Sequence, residues 1–433
     1  MGAQKAAFQI SLTAEIAALD KVDFGAGLLD LVKAFETVPH HILVDIAKEL
    51  GYPLPLLRLC LSSYRLKRSI GVEGVFSKTV TATRGITAGS GTAATELKLL
   101  LLPLMRLLET QWSKVLVAKV YVDDLTLIVR GLRAFVVDKL AVILNFVIVH
   151  LEGRLKMQVS REKSNVVASK PSLALAVAER VDNNVVKAAS HAKILGADTV
   201  GGARRCTFQF RSRILQFMGK VSRFNALREV GANVHQMVRA VAAPSVLYAV
   251  ECIGVSCAAI QKIRVAAARA CSAKAGGKNV DLVWAAVDGN TGTADPALEA
   301  HAGPIKYWAL AFWESWFDDA ELVKALTDAR QKLNVKGKSI WGRVTGPATA
   351  FVATMLRLQW IWLDERTVQD DNGNSWTLGL DSPKDFVSAA HASVRRWRLD
   401  RISLLFPQLV PKRMDVHAAS STPSVVLDFF GII

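Results

Sequence analysis

Two adjacent carboxylates, Asp123 and Asp124, stand in the stretch VLVAKVYVDDLTLIV, Val115 to Val129. Short apolar, β-branched runs flank them. That pattern predicts strand, tight turn, strand, because Val, Ile and Tyr suit a pleated half-buried surface while Asp suits a turn. The hairpin tip then carries both acids. On its own an Asp pair at a hairpin is more often a solvated turn. A third acid upstream adds chemistry: Asp30 ends an apolar run in GLLDLVKAFETVPHHIL, which passes into a helix-like segment. A carboxylate at the end of one buried strand, beside a carboxylate pair on a neighbouring hairpin, makes a cage of hard oxygen donors for divalent cations.

The elements that must position these acids follow from periodicity and punctuation. Met1 to Leu19 has helical spacing from Ser11 onward, with Ser11 or Thr13 as caps. Gly25 and Gly27 precede the apolar run before Asp30, and Lys33 to Leu50 turns helical, with Gly51 as the stop. His40 and His41 are adjacent and face different directions, which favours a structural or capping role over metal ligation. Leu54 to Tyr64 predicts a helix, and Ser69 to Thr83 a pair of strands around Glu73-Gly74. RGITAGSGTAAT, Arg84 to Thr95, brings glycines to the start of a helix from Glu96 to Thr110, where backbone can approach a ligand closely. After the hairpin, Ala134 to Leu151 is apolar enough to consider as a membrane span; Asp138, Lys139 and His150 make it a buried helix instead. Lys163 falls between a turn and a short strand, and HAKILGA, His191 to Ala197, predicts a strand and turn.

Composition bounds the partners. The 433 residues are 51% hydrophobic and carry a formal charge of +16, which points to an anionic partner, nucleic acid before an acidic membrane surface. The five cysteines are scattered, odd in number and without CxxC spacing, so neither a disulfide framework nor a zinc site is indicated and a reducing compartment fits. Nothing distinguishes nucleus from cytoplasm. The charge is concentrated: twelve Lys or Arg against two acids lie between Arg204 and Lys274, interleaved with Phe208, Phe210, Phe217 and Phe224. So lopsided a stretch favours phosphate contact over a solvated helix face on an aromatic core. Beyond AGGKN, Ala275 to Asn279, sixteen bases face eighteen acids and nine of the ten tryptophans occur. That shift predicts a separate, mostly helical domain.

In order, the chain presents LLDLVKAF, RGITAGSG, YVDD, a lysine after a short strand, and KILGA. That succession resembles the palm of reverse transcriptases from non-long-terminal-repeat (LINE-like) retrotransposons, from about Ala7 to Cys271. The resemblance implies an α+β fold: a right-hand polymerase palm, an antiparallel sheet with helices, over residues 1–200 with a remnant of fingers. A basic helical thumb over 201–275 and a Trp-rich helical domain of unassigned role over 280–433 complete the expectation. It further implies RNA-directed DNA synthesis with an RNA template, a DNA primer and deoxynucleoside triphosphates as partners, and no membrane. Two Mg²⁺ ions would be held by Asp30, Asp123 and Asp124, one lowering the pKa of the primer 3′-hydroxyl and one holding the triphosphate. Tyr121 opens the YVDD motif at the substrate side. Phe35 matches the aromatic position beneath the incoming sugar, where a bulky ring rejects a 2′-hydroxyl. Gly85 and Gly89 match the template and nucleotide-positioning loop, Lys163 a lysine that protonates departing pyrophosphate, and Leu195 and Gly196 the primer-grip turn. Arg204, Arg205, Arg211, Arg213, Lys220, Arg223, Lys262, Arg264 and Arg269 would hold the duplex backbone.

The departures from the family pattern are specific. Ala88 stands where Gln is usual and Ala93-Ala94 where Ser-Pro is usual, Glu36 replaces an Asp, and Pro39 replaces an acid. Only 29 residues precede Asp30, so the chain is expected to be an amino-terminally truncated enzyme. Ala6 to Thr13 would be the tail of the fingers, with Gln9 where an Arg is expected. A catalytically inactive nucleic-acid-binding remnant of a retroelement polymerase is the competing expectation.

Overall fold

The computed structural model describes residues 2–199, 201, 205–272, 277–288, 294–334 and 339–409. Its first helix, α1 (Ala3–Leu19), is apolar on more than one side and buries Phe8, Ile10, Leu12 and Ile16, the pattern of a helix enclosed all round. Strand β1 (Asp23–Leu29) is a nearly continuous buried run, as a central strand covered on both faces must be. Next come α2 (Ala34–Thr37), α3 (His40–Glu49), α4 (Leu54–Tyr64), the hairpin β2 (Gly71–Val72) and β3 (Val75–Phe76), and α5 (Ala93–Trp112). The central hairpin is β4 (Leu116–Tyr121) and β5 (Asp124–Gly131), followed by α6 (Arg133–Val149), β6 (Asn165–Ala168), α7 (Pro171–Glu179) and β7 (Lys187–Ala189). A small hairpin, β8 (Ala192–Ile194) and β9 (Ala197–Thr199), closes this half.

The main sheet has the order β4-β5-β1-β6-β7, antiparallel except for β6 with β7. The fold is α+β, as expected. Helices α5 and α6 cover one face, with Leu97, Leu104, Leu140 and Leu144 packed on Leu29, Leu125 and Val129. Gly25 and Gly27 let α6 come this close: a Cβ at Gly27 would lie 2.5 Å from Leu144 and one at Gly25 2.9 Å from Leu140. By length and composition the segment Arg133–Arg154 would suffice to cross a membrane, but its apolar side lies on the sheet, in line with the buried-helix expectation.

Helix α1 covers the opposite face through Ile10, Ala14 and Ala17, against Phe24, Ala26, Leu28 and Ile128. Its other side enters a second, larger core. That core is built by α8 (Phe208–Glu229), the single turns α9 (Val234–Met237), α10 (Ala243–Val246) and α11 (Val250–Ile253), then α12 (Cys257–Cys271), α13 (Val280–Asp288) and α14 (Pro296–Trp313). Helices α15 (Asp319–Leu333), α16 (Pro347–Arg357) and α17 (Pro383–Leu405), with a small sheet of β10 (Ile361–Trp362), β11 (Thr367–Gln369) and β12 (Ser375–Thr377), complete it. Phe217, Ile263, Trp284, Trp308, Phe351 and Phe386 meet Phe8 and Leu12 in this one cluster. Charge and tryptophan content change near residues 275–279, yet the packing continues across. Ala6 to Thr13, expected as a tail of the fingers, is the middle of α1, and Gln9 is buried there rather than open to a triphosphate.

Candidate active site

Strand β1 ends at Leu29, paired with Leu125 of β5, so the next residue, Asp30, stands in register opposite Asp124. The hairpin closes with Tyr121 paired to Asp124, leaving Val122 and Asp123 as the turn. Val122 has φ +59, a left-handed conformation that a β-branched residue adopts at a cost of about 1–3 kcal/mol. The expected pair of acids at the tip is thus divided. Asp123 belongs to the turn, while Asp124 begins a strand and shares a sheet face with Asp30.

These carboxylates feel one another. Burial, then the charges of Asp123 and Asp30, push the Asp124 carboxyl up to about 6, with Lys163 acting in the opposite direction. Lys163 Nζ lies 3.4 Å from Asp30 Oδ1. Its loop is folded onto the end of β1: Asp30 N–H donates to Ser164 Oγ (3.2 Å) and Ser160 N–H to the Asp30 carbonyl (2.8 Å). A cleft of about 550 Å³ opens over Asp30, Asp124 and Lys163, bounded across from them by His191, Lys193 and Phe208. Asp123 is outside that lining. Among the described residues no group of three or more His, Cys, Asp or Glu side chains is placed to hold a metal ion. The donor chemistry nonetheless fits a hard divalent cation, since the Asp124 carboxylate, half-buried and facing the charges of Asp123 and Asp30, gains from a shared positive charge.

The glycine loop is tied directly to the chain that follows Asp30. Gly85 N–H donates to the Val38 carbonyl (2.8 Å) and Ile86 N–H to the carbonyl of Phe35 (2.7 Å). Gly85 has φ +92, and a Cβ there would lie 2.6 Å from the Glu36 carbonyl oxygen, so no larger residue fits. Buried His40 contacts the Gly85 carbonyl through Nε2 (2.7 Å) and receives Arg65 Nε on Nδ1 (3.1 Å), which fixes its proton on Nε2. The structural role expected of His40 is the one it has. Phe35 is half-buried against the α5–α6 core, and Gly89 lies in an exposed turn at φ +92.

Leu195 and Gly196 form the β8–β9 turn, with φ +49 and +82. Tyr248 donates its hydroxyl to the Leu195 carbonyl (2.6 Å), and Arg213 donates to the carbonyls of Gly196 and Tyr248 while its guanidinium lies 5.1 Å from the Tyr248 ring. Arg213 therefore holds this turn to the helical half. Arg205 donates to the carbonyls of Ile253 and Gly254 and lies over Trp341; burial, then Arg211, pulls its pKa down to about 10. Arg264 corrects the sequence expectation outright: it is fully buried, bidentate to Asp295 and bonded to Asp281 at 2.8 Å, so no phosphate reaches it. Both carboxylates lie in the Trp-rich stretch, where sequence spacing could not identify them as partners. Arg211, Lys220, Arg223, Lys262 and Arg269 are at least partly exposed. Arg204 lies outside the described residues.

Sequence reasoning missed the far wall of the cleft. Phe208, noted in the sequence only among the phenylalanines interleaved with the basic residues, is 62% exposed at the start of α8, its ring 5.9 Å from that of His191. The one sequence signal for it is the proximity of HAKILGA to the basic stretch.

Residues 10–199 match the family model for reverse transcriptase (RNA-dependent DNA polymerase). No curated protein matches the chain. Among solved structures, telomerase from Candida albicans in complex with a TWJ fragment of telomeric RNA is similar at 10% sequence identity and a TM-score of 0.37, over 75% of this chain and 52% of that one. The chain thus spans about half the length of that telomerase chain.

Proposed function

Starting from the reverse transcriptase domain at residues 10–199, we propose that the chain extends a DNA primer on an RNA template, and that it does so as a member of the non-long-terminal-repeat type. The observation that carries this reading is the register that sets Asp30 opposite Asp124, with Lys163 on Asp30 and Asp123 one residue away on the turn. Asp30 and Asp124, joined by Asp123, would hold magnesium. Bound there, the cation lowers the pKa of a hydroxyl and offsets triphosphate charge. Lys163 is largely exposed beyond its contact with Asp30 and lines the same cleft, where it would donate a proton to departing pyrophosphate. Phe35 supports selection of deoxynucleotides by bulk, and the exposed cations of α8 and α12 support contact with the duplex backbone.

A second reading, a nucleic-acid-binding remnant without catalysis, is favoured by Asp123 standing outside the cleft lining and by Ala88 in the glycine loop. Primer extension on an RNA template with Mg²⁺ separates the two. Extension by the full chain and a loss of at least about a hundredfold in Asp124→Asn, the scale of removing a group that acts in the transition state, supports polymerisation. Duplex binding by both proteins with extension by neither supports the remnant.

A further inference from the structure

We propose that the start of α12, together with Arg205 and Arg357, is a binding site for a phosphate dianion, either the free ion or the phosphate of a small monoester. Ser256 caps this 15-residue helix, its Oγ accepting the Ala259 N–H (3.3 Å), and no acid stands in the first turn. The N–H groups of exposed Cys257 and Ala258 have no backbone partner among the described residues, which leaves the positive end of the helix open. A bare helix start is common. What distinguishes this one is Arg357, the last residue of α16. Its guanidinium lies beside the Cys257 thiol, Nη1 donates to the Val255 carbonyl (2.5 Å), and Nε and Nη2 are buried with no partner among the described residues.

The two arginines are held in place. Both lie over Trp341, Arg357 at 4.5 Å and Arg205 at 5.6 Å from the ring centroid, and Trp341 is seated against Gly254, where a Cβ would lie 2.9 Å from the ring. Three successive carbonyls, of Ile253, Gly254 and Val255, accept from their Nη1 atoms. Those carbonyls orient the cations without neutralising them. Burial, first of all, pulls Arg357 down to about 10; Cys257 opposes this and Arg205 adds to it. Neither arginine forms an ion pair with a described residue. Two fixed positive charges beside two free N–H groups match a doubly charged group with several acceptor oxygens, which a phosphate supplies and a single carboxylate does not. None of these residues lines the cleft over Asp30 and Asp124, so the site stands apart from the polymerase reading.

The test follows alkylation of Cys257 by iodoacetamide in the full chain, read by peptide mass spectrometry, in chelator and at constant ionic strength as inorganic phosphate replaces chloride. Cys60, half-buried on α4, is the reference thiol. Bound phosphate should slow labelling of Cys257 in a saturable way and leave the rate at Cys60 unchanged. Phenyl phosphate that protects as phosphate does would identify a site open to monoesters; protection by inorganic phosphate alone would identify one closed around the free ion. Arg205→Gln should raise the half-protecting concentration about tenfold to a hundredfold, the scale of a hydrogen bond to a charged group. Arg357→Met should abolish protection, each rate being compared with that of the same protein without phosphate. Circular dichroism checks that both variants fold, and if Arg357→Met does not, the wild-type titration and Arg205→Gln decide. Labelling of wild-type Cys257 at one rate with and without phosphate would overturn the proposal, as would wild-type protection in both variants. Protection by a DNA–RNA duplex but not by phosphate would overturn it too, and would give the two arginines to the duplex backbone.

Discussion

Asp124 shows how a single side chain depends on its neighbours. Its carboxyl titrates at about 6 because it is half-buried and faces the charges of Asp123 and Asp30. Raising the folded-state pKa above the ordinary 3.8 means that the folded chain favours the protonated acid; this contribution to stability is complete below 3.8 and lost as pH rises through 6. In metal-free protein, NMR titration should place the Asp124 carboxyl near 6 and move it downward in Asp30→Asn. Thermal stability of Asp124→Asn should gain on that of the wild type between pH 4 and 7. An Asp124 that titrates near 3.8 in the wild type would remove the facing-carboxylate arrangement. Arg264 teaches the converse: at the residue scale, a basic side chain in a basic stretch reads as a phosphate ligand, while its actual partners, Asp281 and Asp295, neutralise it inside the core. Helical spacing gives the neighbours along one helix and is silent on those from another.

At the scale of elements, the hairpin and the strand beside it were legible because a period of two with a turn residue is a local signal. YVDD and the run ending at Asp30 appear as β4–β5 and β1, and EG at 73–74 appears as the β2–β3 turn. The one-residue detail was not local: only the ladder register shows that Asp124, rather than the turn residue Asp123, faces Asp30. The glycines of β1 gain their meaning from α6. Gly27→Ala should destabilise the chain by about 1–3 kcal/mol, because the new methyl meets Leu144 and α6 must shift away from the strand that carries Asp30. Urea unfolding followed by far-ultraviolet circular dichroism measures this, and an unchanged midpoint would mean that the helix is not held against the strand.

Over the whole molecule, α1 packs into both halves. One side lies on the sheet and the other in the tryptophan-rich core, where Phe8 meets Tyr307, Trp308 and Trp316 at centroid distances of 5.7, 6.2 and 5.8 Å. Buried Glu15 adds a polar tie, accepting the Ala348 and Thr349 N–H groups at the start of α16 while burial pushes its carboxyl up. Phe8→Ala should cost about 3–5 kcal/mol and lower the urea midpoint read by tryptophan fluorescence as well as that read by circular dichroism. A shift in only one of the two signals would show that the halves unfold separately.

The acids, the glycine loop, the hairpins and the concentration of positive charge are local patterns of residue type, and the chain order of these patterns carried the family resemblance before any coordinate. Which cations are free, which carboxylates face each other, and that the first helix is enclosed between sheet and helical core were decided by tertiary packing alone. Periodicity records which side of an element is apolar. Burial, ion pairing and register depend on what another part of the chain places against that side.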